Sequence, residues 1–334
     1  MEQGNHKPSN GHDHAQSSHR RPVIVIGGFL GAGKTTTLNH YLSTGDDNRT
    51  NVIIREYGEA SIDDQLLGID KSRIHVFPGM SVHQDPQLLL YDYMHDMFEH
   101  DRRNFDRVVI ETSGLDSPES IVQLFMVGAM QNIYRFNGYI VIVDAEYGIL
   151  NLEEFAVSVE QIAFADAIVI NKADRSDEAK IAELVGHLRS INAIAPIYTT
   201  EFGRIDLLGT AGFDVFKQLS GKAPLESISQ SKYAASTVIL SESRPIDKAK
   251  AIDWVNSIYG NYGWNIMRGR GFFSFSQDSY IYEFDSIRKS FHSSAMKQWD
   301  AYKDAHERES IVAFIGSGLP GREQMQREFS SLAE

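Results

Sequence analysis

Gly28-Phe29-Leu30-Gly31-Ala32-Gly33-Lys34-Thr35 has the form G-x-x-x-x-G-K-[ST], and it follows the apolar run Val23-Ile24-Val25-Ile26 directly. A strand leading into such a loop, with a helix after it, is the context in which this pattern cradles phosphate. The glycines let the backbone curl until successive N–H groups face phosphate oxygens. The helix N-terminus adds its partial positive charge. Gly28, Gly31, Ala32, Gly33, Lys34, Thr35 and Thr36 are therefore the predicted phosphate-binding positions. Lys34 is expected to reach the β- and γ-phosphates, and the Thr35 hydroxyl to coordinate Mg²⁺.

Two further segments fit the same chemistry. Val108-Val109-Ile110 runs into Glu111-Thr112-Ser113-Gly114, an apolar strand ending in an acid with glycine three residues later. P-loop proteins place an acid there to hold Mg²⁺, directly or through water, and Gly114 would supply a backbone N–H that senses the γ-phosphate. Lys34, Thr35, Glu111 and Gly114 form the predicted catalytic set. Ala167-Ile168-Val169-Ile170 then leads into Asn171-Lys172-Ala173-Asp174, the N-K-x-D pattern at a strand end. The Asp174 carboxylate would accept hydrogen bonds from guanine N1–H and the 2-amino group. Adenine offers neither donor, and a site built around buried polar pairing discriminates by roughly 10⁴-fold. Asn171, Lys172 and Asp174 are the expected base-binding residues, and the nucleotide is GTP or GDP rather than ATP.

Outward from these motifs, strand and helix signals alternate. Short β-branched runs occur at Val52–Ile54, Arg73–Phe77 and Tyr139–Val143, and such near-continuous apolar runs suit strands buried on both faces of a parallel sheet. Asp85-Pro86 and Ser117-Pro118-Glu119 read as helix starts. The first helix carries Leu90, Met94, Met97 and Phe98 on one face, with Tyr93 beside them. Ser176 is expected to begin a third helix with a core stripe of Ile181, Leu184, Val185 and Leu188. This alternation implies an α/β fold with a mostly parallel, doubly wound sheet.

Residues 21–218 are read as this P-loop domain. The stretch 219–232 is polar and reads as a linker. Residues 233–334 carry an α+β pattern, with strands near Thr237–Leu240, Gly271–Phe275, Ser279–Phe284 and Ile311–Ile315 and a helix near Asp247–Ile258. A terminal helix is expected after Leu319-Pro320-Gly321. Trp254, Tyr259, Tyr262 and Trp264 are expected to pack that smaller C-terminal domain. Residues 1–20, low in apolar content, read as a disordered tail.

The chain has 334 residues, 32 Lys plus Arg against 45 Asp plus Glu, and a formal net charge of −13. That balance argues against nucleic acid or an anionic membrane as partner. No stretch reaches the length of a membrane-spanning helix and no signal peptide is visible, which makes the cytoplasm the default location. The chain contains no cysteine, so disulfides and thiolate metal sites are excluded.

The chain resembles the CobW family of metal-chaperone GTPases. The resemblance rests on Gly28 to Thr36; Arg55-Glu56-Tyr57-Gly58-Glu59 followed by Ile62-Asp63; Glu111 to Gly114; Val143-Asp144-Ala145; and Asn171 to Asp174. It continues through Arg270-Gly271-Phe272-Phe273 and Phe314-Ile315-Gly316. The resemblance implies GTP hydrolysis coupled to delivery of a divalent metal, Zn²⁺ or Co²⁺, to a client protein met by the C-terminal domain. Such proteins carry a C-x-C-C segment after the third strand. Here Gly79 is followed by Met80-Ser81-Val82-His83, and Arg55 replaces the usual Asn before Glu56. The soft thiolates that select Zn²⁺ or Co²⁺ are therefore missing. Metal-ligand candidates are Thr35, Glu111, Glu56 and Glu59, with Asp63, His83 and Asp85 as further oxygen and nitrogen donors. His6, His12, His14 and His19 with Asp13 offer a second, weaker donor set.

The alternatives are a metal-independent regulatory GTPase acting through protein partners and a P-loop phosphotransferase, against which the guanine motif weighs. The expected mechanism is a slow switch, because no glutamine or arginine finger is identifiable. Glu59 and Asp63 are the candidates for positioning the attacking water. The sequence names neither client nor oligomeric state.

Overall fold

The computed structural model describes residues 20–44, 49–56, 71–78, 86–101, 103–126, 129–206, 219, 231–299 and 308–333. Among them, seven strands form a parallel sheet: β1 (Arg21–Gly27), β2 (Thr50–Glu56), β3 (Ile74–Pro78), β4 (Arg107–Glu111), β5 (Tyr134–Asp144), β6 (Ala167–Asn171) and β7 (Ile197–Thr199). Their order is β3-β2-β4-β1-β5-β6-β7. The order reverses at β1, which lies between β4 and β5, and in such sheets the crevice beyond the strand C-termini at the reversal is where ligands bind. The P-loop leaves β1 at that point.

Both faces of the sheet are covered, which explains the unbroken apolar strands. Ile24, Ile26, Val52, Ile54 and Val109 pack with Leu38, Tyr41 and Leu42 of α1 (Lys34–Thr44). Val23, Val25, Ile53, Val108 and Ile110 face the opposite way, toward α2 (Pro86–Asp101), α3 (Pro118–Met126), the short α4 (Met130–Ile133), α5 (Gly148–Glu154), α6 (Ala156–Phe164) and α7 (Glu178–Ile191). Met94 and Met97 are buried on this side, with Tyr93 and Phe98 packed against it. Proline begins α2 and α3 as the sequence suggested, since its missing N–H costs nothing in a first turn. The start of α7 differs from expectation. Asp177, not Ser176, caps it, its carboxylate accepting the Lys180 N–H at 2.8 Å.

A second sheet is antiparallel, in the order β11-β10-β9-β12-β8. It comprises β8 (Ser236–Glu242), β9 (Ile266–Ser274), β10 (Tyr280–Ile287), β11 (Ser290–Gln298) and β12 (Ser310–Gly316), with α8 (Lys248–Tyr262) and α9 (Arg322–Ser330). Residues alternate along β12: Val312 and Phe314 pack with Trp254, Tyr259 and Phe329 from the two helices. Ile311, Ala313 and Ile315 point the other way, into the same cluster as Phe125, Ile162 and Ile194 of the parallel-sheet layer. One face of the smaller sheet is thus buried against α3, α6 and α7 rather than left to water.

Several elements differ from expectation. β9 and β10 are longer, and β11 was not foreseen because its exposed Ser-rich run lacks apolar alternation. Trp264 does not join the core: it is 70% exposed, with the Lys289 ammonium 4.8 Å from its ring centre. Among the described residues no helix is long and apolar enough to cross a membrane. The expected tail apart from Arg20, most of the expected linker, the segment Tyr57–Asp63, Gly79–Asp85, and with them Glu59, Asp63, His83 and the tail histidines, lie outside the described residues.

Candidate functional site

The loop after β1 is shaped by backbone that only glycine adopts without strain. Gly33 has φ +98°, and a Cβ there would fall 2.2 Å from the Asn171 carboxamide. Lys34 opens α1 and is 9% exposed. Its ammonium donates to the carbonyls of Gly28 (2.9 Å) and Phe29 (3.2 Å), so the charge lies along the inside of the loop. Thr36, exposed in the same first turn, and Gly31, exposed in the loop, border the same surface.

Glu111 ends β4, with Ile26 of β1 as its neighbour in register. Its carboxylate is buried and accepts the Thr35 hydroxyl at 2.7 Å. The two predicted Mg²⁺ positions therefore meet. A carboxylate beside a hydroxyl is a hard, all-oxygen donor pair of the kind Mg²⁺ takes. Glu56, third in the predicted set, ends β2, two residues past Ile54, the register partner of Glu111. Its side chain, like Glu59, lies outside the described residues. Among the described residues no group of three or more His, Cys, Asp or Glu is arranged to hold a metal.

After Glu111 the chain turns tightly over the loop. Gly114 approaches so closely that a Cβ would lie 2.6 Å from the Leu30 nitrogen. The turn is pinned from below: the Ser113 N–H donates to Asp116 at 3.2 Å, and the buried Gln161 carboxamide donates to the Gly114 and Asp116 carbonyls, each at 3.2 Å. Arg55 lies 3.7 Å from the Asp116 carboxylate and links the end of β2 to this turn. Sequence reasoning missed Gln161. The available signal was a glutamine between Val159, Ile162 and Ala163 on a mostly apolar helix, Ala156–Phe164.

The N-K-x-D segment is tied to the P-loop by two side chains. Asn171, 1% exposed, donates to the Ala32 carbonyl at 3.0 Å and accepts the Gly203 N–H at 2.9 Å. Lys172 adopts φ +60° and donates to the Gly31 carbonyl and to Asp144, each at 2.6 Å. Asp144, buried at the end of β5, also accepts the Glu146 N–H at 2.8 Å. Asp174 is exposed on the single turn that follows, Ala173–Arg175. Two residues after Thr200, whose carbonyl accepts the Ala173 N–H, Phe202 holds φ +54° and is 56% exposed, with the Arg204 guanidinium 5.6 Å from its ring centre. A bulky residue in left-handed conformation is a strained outlier that the surroundings must enforce. Nothing in the sequence singled out Phe202.

The family model for the CobW/HypB/UreG nucleotide-binding domain matches residues 22–199, and that for the cobalamin synthesis protein CobW C-terminal domain matches residues 235–333. The chain belongs to the CobW family. It is thereby a P-loop GTPase of the metal-chaperone group. The zinc chaperone YjiA of Escherichia coli is 29% identical over 318 residues, covering 93% of this chain and 98% of that protein. The zinc chaperone CobW of Pseudomonas aeruginosa is 29% identical over 204 residues, covering 50% and 54%. The crystal structure of zinc-bound YjiA superposes with a TM-score of 0.74 at 25% identity, covering 94% of this chain and 99% of that one. A zinc-bound YjiA variant with one glutamate and two cysteines replaced by alanine gives 0.73 over the same coverage.

Proposed function

We propose that this member of the CobW family couples GTP hydrolysis to the handling of a divalent metal through oxygen and nitrogen ligands, and passes it to a client protein. The observation that carries the nucleotide half is the meeting of three sequence-distant motifs: Thr35 on Glu111, Asn171 on Ala32, and Lys172 on Gly31. In this reading Lys34 leaves the loop carbonyls to reach the β- and γ-phosphates. Asp174 pairs with guanine N1–H and its 2-amino group. Lys172, held by Asp144, lies under the base.

Thr35 and Glu111 would hold Mg²⁺, which would supply positive charge to offset that of the phosphates. The Gly114 N–H, in a turn fixed by Gln161 and Asp116, would face the γ-phosphate, and loss of that phosphate would release the turn and the segment after Glu56. Glu56 and Glu59 complete the proposed metal-side acids. The cytoplasm, where GTP and Mg²⁺ are supplied, is the setting this reading assumes.

The metal half rests on family membership. The chain lacks every cysteine; among its relatives, a YjiA variant with two cysteines and one glutamate replaced by alanine is zinc-bound. The same cysteine-free composition favours a second reading, a regulatory GTPase without metal cargo. Equilibrium binding of Zn²⁺, Co²⁺ and Ni²⁺ separates them. It is measured on the full chain and on a version lacking residues 1–20, each loaded with GDP and with a non-hydrolysable GTP analogue. Stoichiometric binding that depends on the nucleotide and survives tail removal supports metal handling. Binding that vanishes with the tail and ignores the nucleotide supports the second reading.

A further inference from the structure

A cavity of about 520 Å³ lies at the far end of the parallel sheet from the P-loop, where the start of β5 meets the antiparallel sheet. β5 runs from this cavity to Asp144, a span of 11 residues, or roughly 30 Å at strand rise. The volume falls within the range of small-molecule sites. None of the nucleotide-motif residues lines it.

Its walls differ in character. One is apolar: Phe125 and Phe136 present parallel rings with centroids 6.0 Å apart. The other carries Arg20, Arg135 and Arg270 against Glu283 and Asp285, an excess of one positive charge in a chain whose net charge is −13. Arg270 is fixed. Its terminal nitrogens engage Asp166 and Asp285, and among the described residues its buried Nε has no hydrogen-bond partner. Arg20 is held at the rim by donation to the Gln131 carbonyl at 3.2 Å. Arg135 is exposed at the mouth, and Ser294 of β11 lines the facing wall.

We propose that this cavity binds a small monocarboxylate with an aromatic or aliphatic body. Arginine forks match a carboxylate in plane and spacing. A single negative charge balances the excess. A phosphate, with nearly two charges, would also meet Glu283 and Asp285 and lose by repulsion part of what it gains. The ring pair supplies the apolar contact that a bare inorganic anion could not use.

The probe is phenylacetate, titrated by calorimetry into the full chain saturated with GDP and Mg²⁺ so that the P-loop is already filled. The expected result is saturable one-to-one binding, with inorganic phosphate weaker and the neutral phenylacetamide weaker still. Arg135→Glu and Ser294→Phe, both at exposed positions, should each weaken phenylacetate by at least about tenfold while GTP turnover stays unchanged. The proposal is overturned by any of three results: no saturable binding up to about 10 mM, phenylacetamide or phosphate binding as tightly as phenylacetate, or an affinity untouched by both substitutions.

Discussion

The Thr35 hydroxyl donates to the Glu111 carboxylate at 2.7 Å, joining the first turn of α1 to the end of β4 across 76 residues of sequence. The pair brings two hard donors together beside the P-loop, and in the proposed reading they hold Mg²⁺. Glu111→Ala removes the carboxylate and leaves the hydroxyl. Mg²⁺ affinity in the nucleotide complex should fall by about 10- to 100-fold, as for loss of a group that positions a metal ligand. Mg²⁺ titration of GTP turnover reads this. An unchanged Mg²⁺ midpoint would remove Glu111 from the site.

Asp174 is exposed at the end of the N-K-x-D turn, while Asn171 beside it is locked between Ala32 and Gly203. In the proposed reading the first side chain reads the base, while the second holds the loop. Asp174→Asn should lower GTP affinity and raise affinity for xanthosine triphosphate, whose 2-oxo group accepts where guanine donates. The change in preference should approach the roughly 10⁴-fold scale of sites built on buried polar pairing. Competition binding with the two nucleotides decides it, and retained guanine preference would sink the assignment.

Asn171→Ala tests the other role. It removes the bonds to Ala32 and Gly203 without touching the base edge read by Asp174. Each bond is worth about 1 kcal/mol net, with more lost where a buried partner is left unsatisfied. GTP and GDP affinity should fall together by about ten- to a hundredfold, with guanine preference retained. Loss of preference without loss of affinity would reverse the roles given to Asn171 and Asp174.

The meeting of the candidate nucleotide motifs was legible because each motif ends a strand of the parallel sheet, and a strand end is fixed by the apolar run that precedes it. Glu111 and Asn171 follow Val108–Ile110 and Ala167–Ile170, so their arrival at one edge followed from the α/β pattern. The supports were not legible. Gln161 and Gly203 act through contacts made between elements, as does Asp144, which the family resemblance singled out without a partner; single-residue chemistry gives no sign of which partner a buried polar group will meet. The same holds for β11, whose Ser-rich run carries neither alternation nor an apolar face. Trp264 shows the opposite error: aromatic content suggested core packing, but its place in the turn after α8 leaves it in solvent.

Arg268 of β9 is 1% exposed and lies 2.8 Å from Asp285 and 3.7 Å from Asp166. Asp166 also accepts the Tyr139 N–H at 2.6 Å and pairs with Arg270, so one carboxylate ties β9 to β5 of the other sheet. Removing it leaves two buried guanidinium groups short of compensation. Asp166→Ala should cost about 3–5 kcal/mol of unfolding free energy, read from the urea midpoint. A loss under about 1 kcal/mol would mean that Asp285, with water, balances the arginines without Asp166.

His75, on β3, packs on Tyr93 with ring centres 5.2 Å apart. Burial holds its pKa below the ordinary imidazole value, with the Asp101 carboxylate partly opposing. The unfolded chain therefore binds the proton more readily than the folded one. As pH falls below about 6.5, protonation favours unfolding, and the stability contributed by neutral His75 is lost as pH passes through the lowered folded value. Replacing His75 by Gln removes this titration, so the melting temperature of the variant should fall less steeply than that of the parent between about pH 7 and pH 5. Equal slopes would show that imidazole at this position is no harder to charge in the fold than in the unfolded chain, and that carboxylates alone set the acid limb.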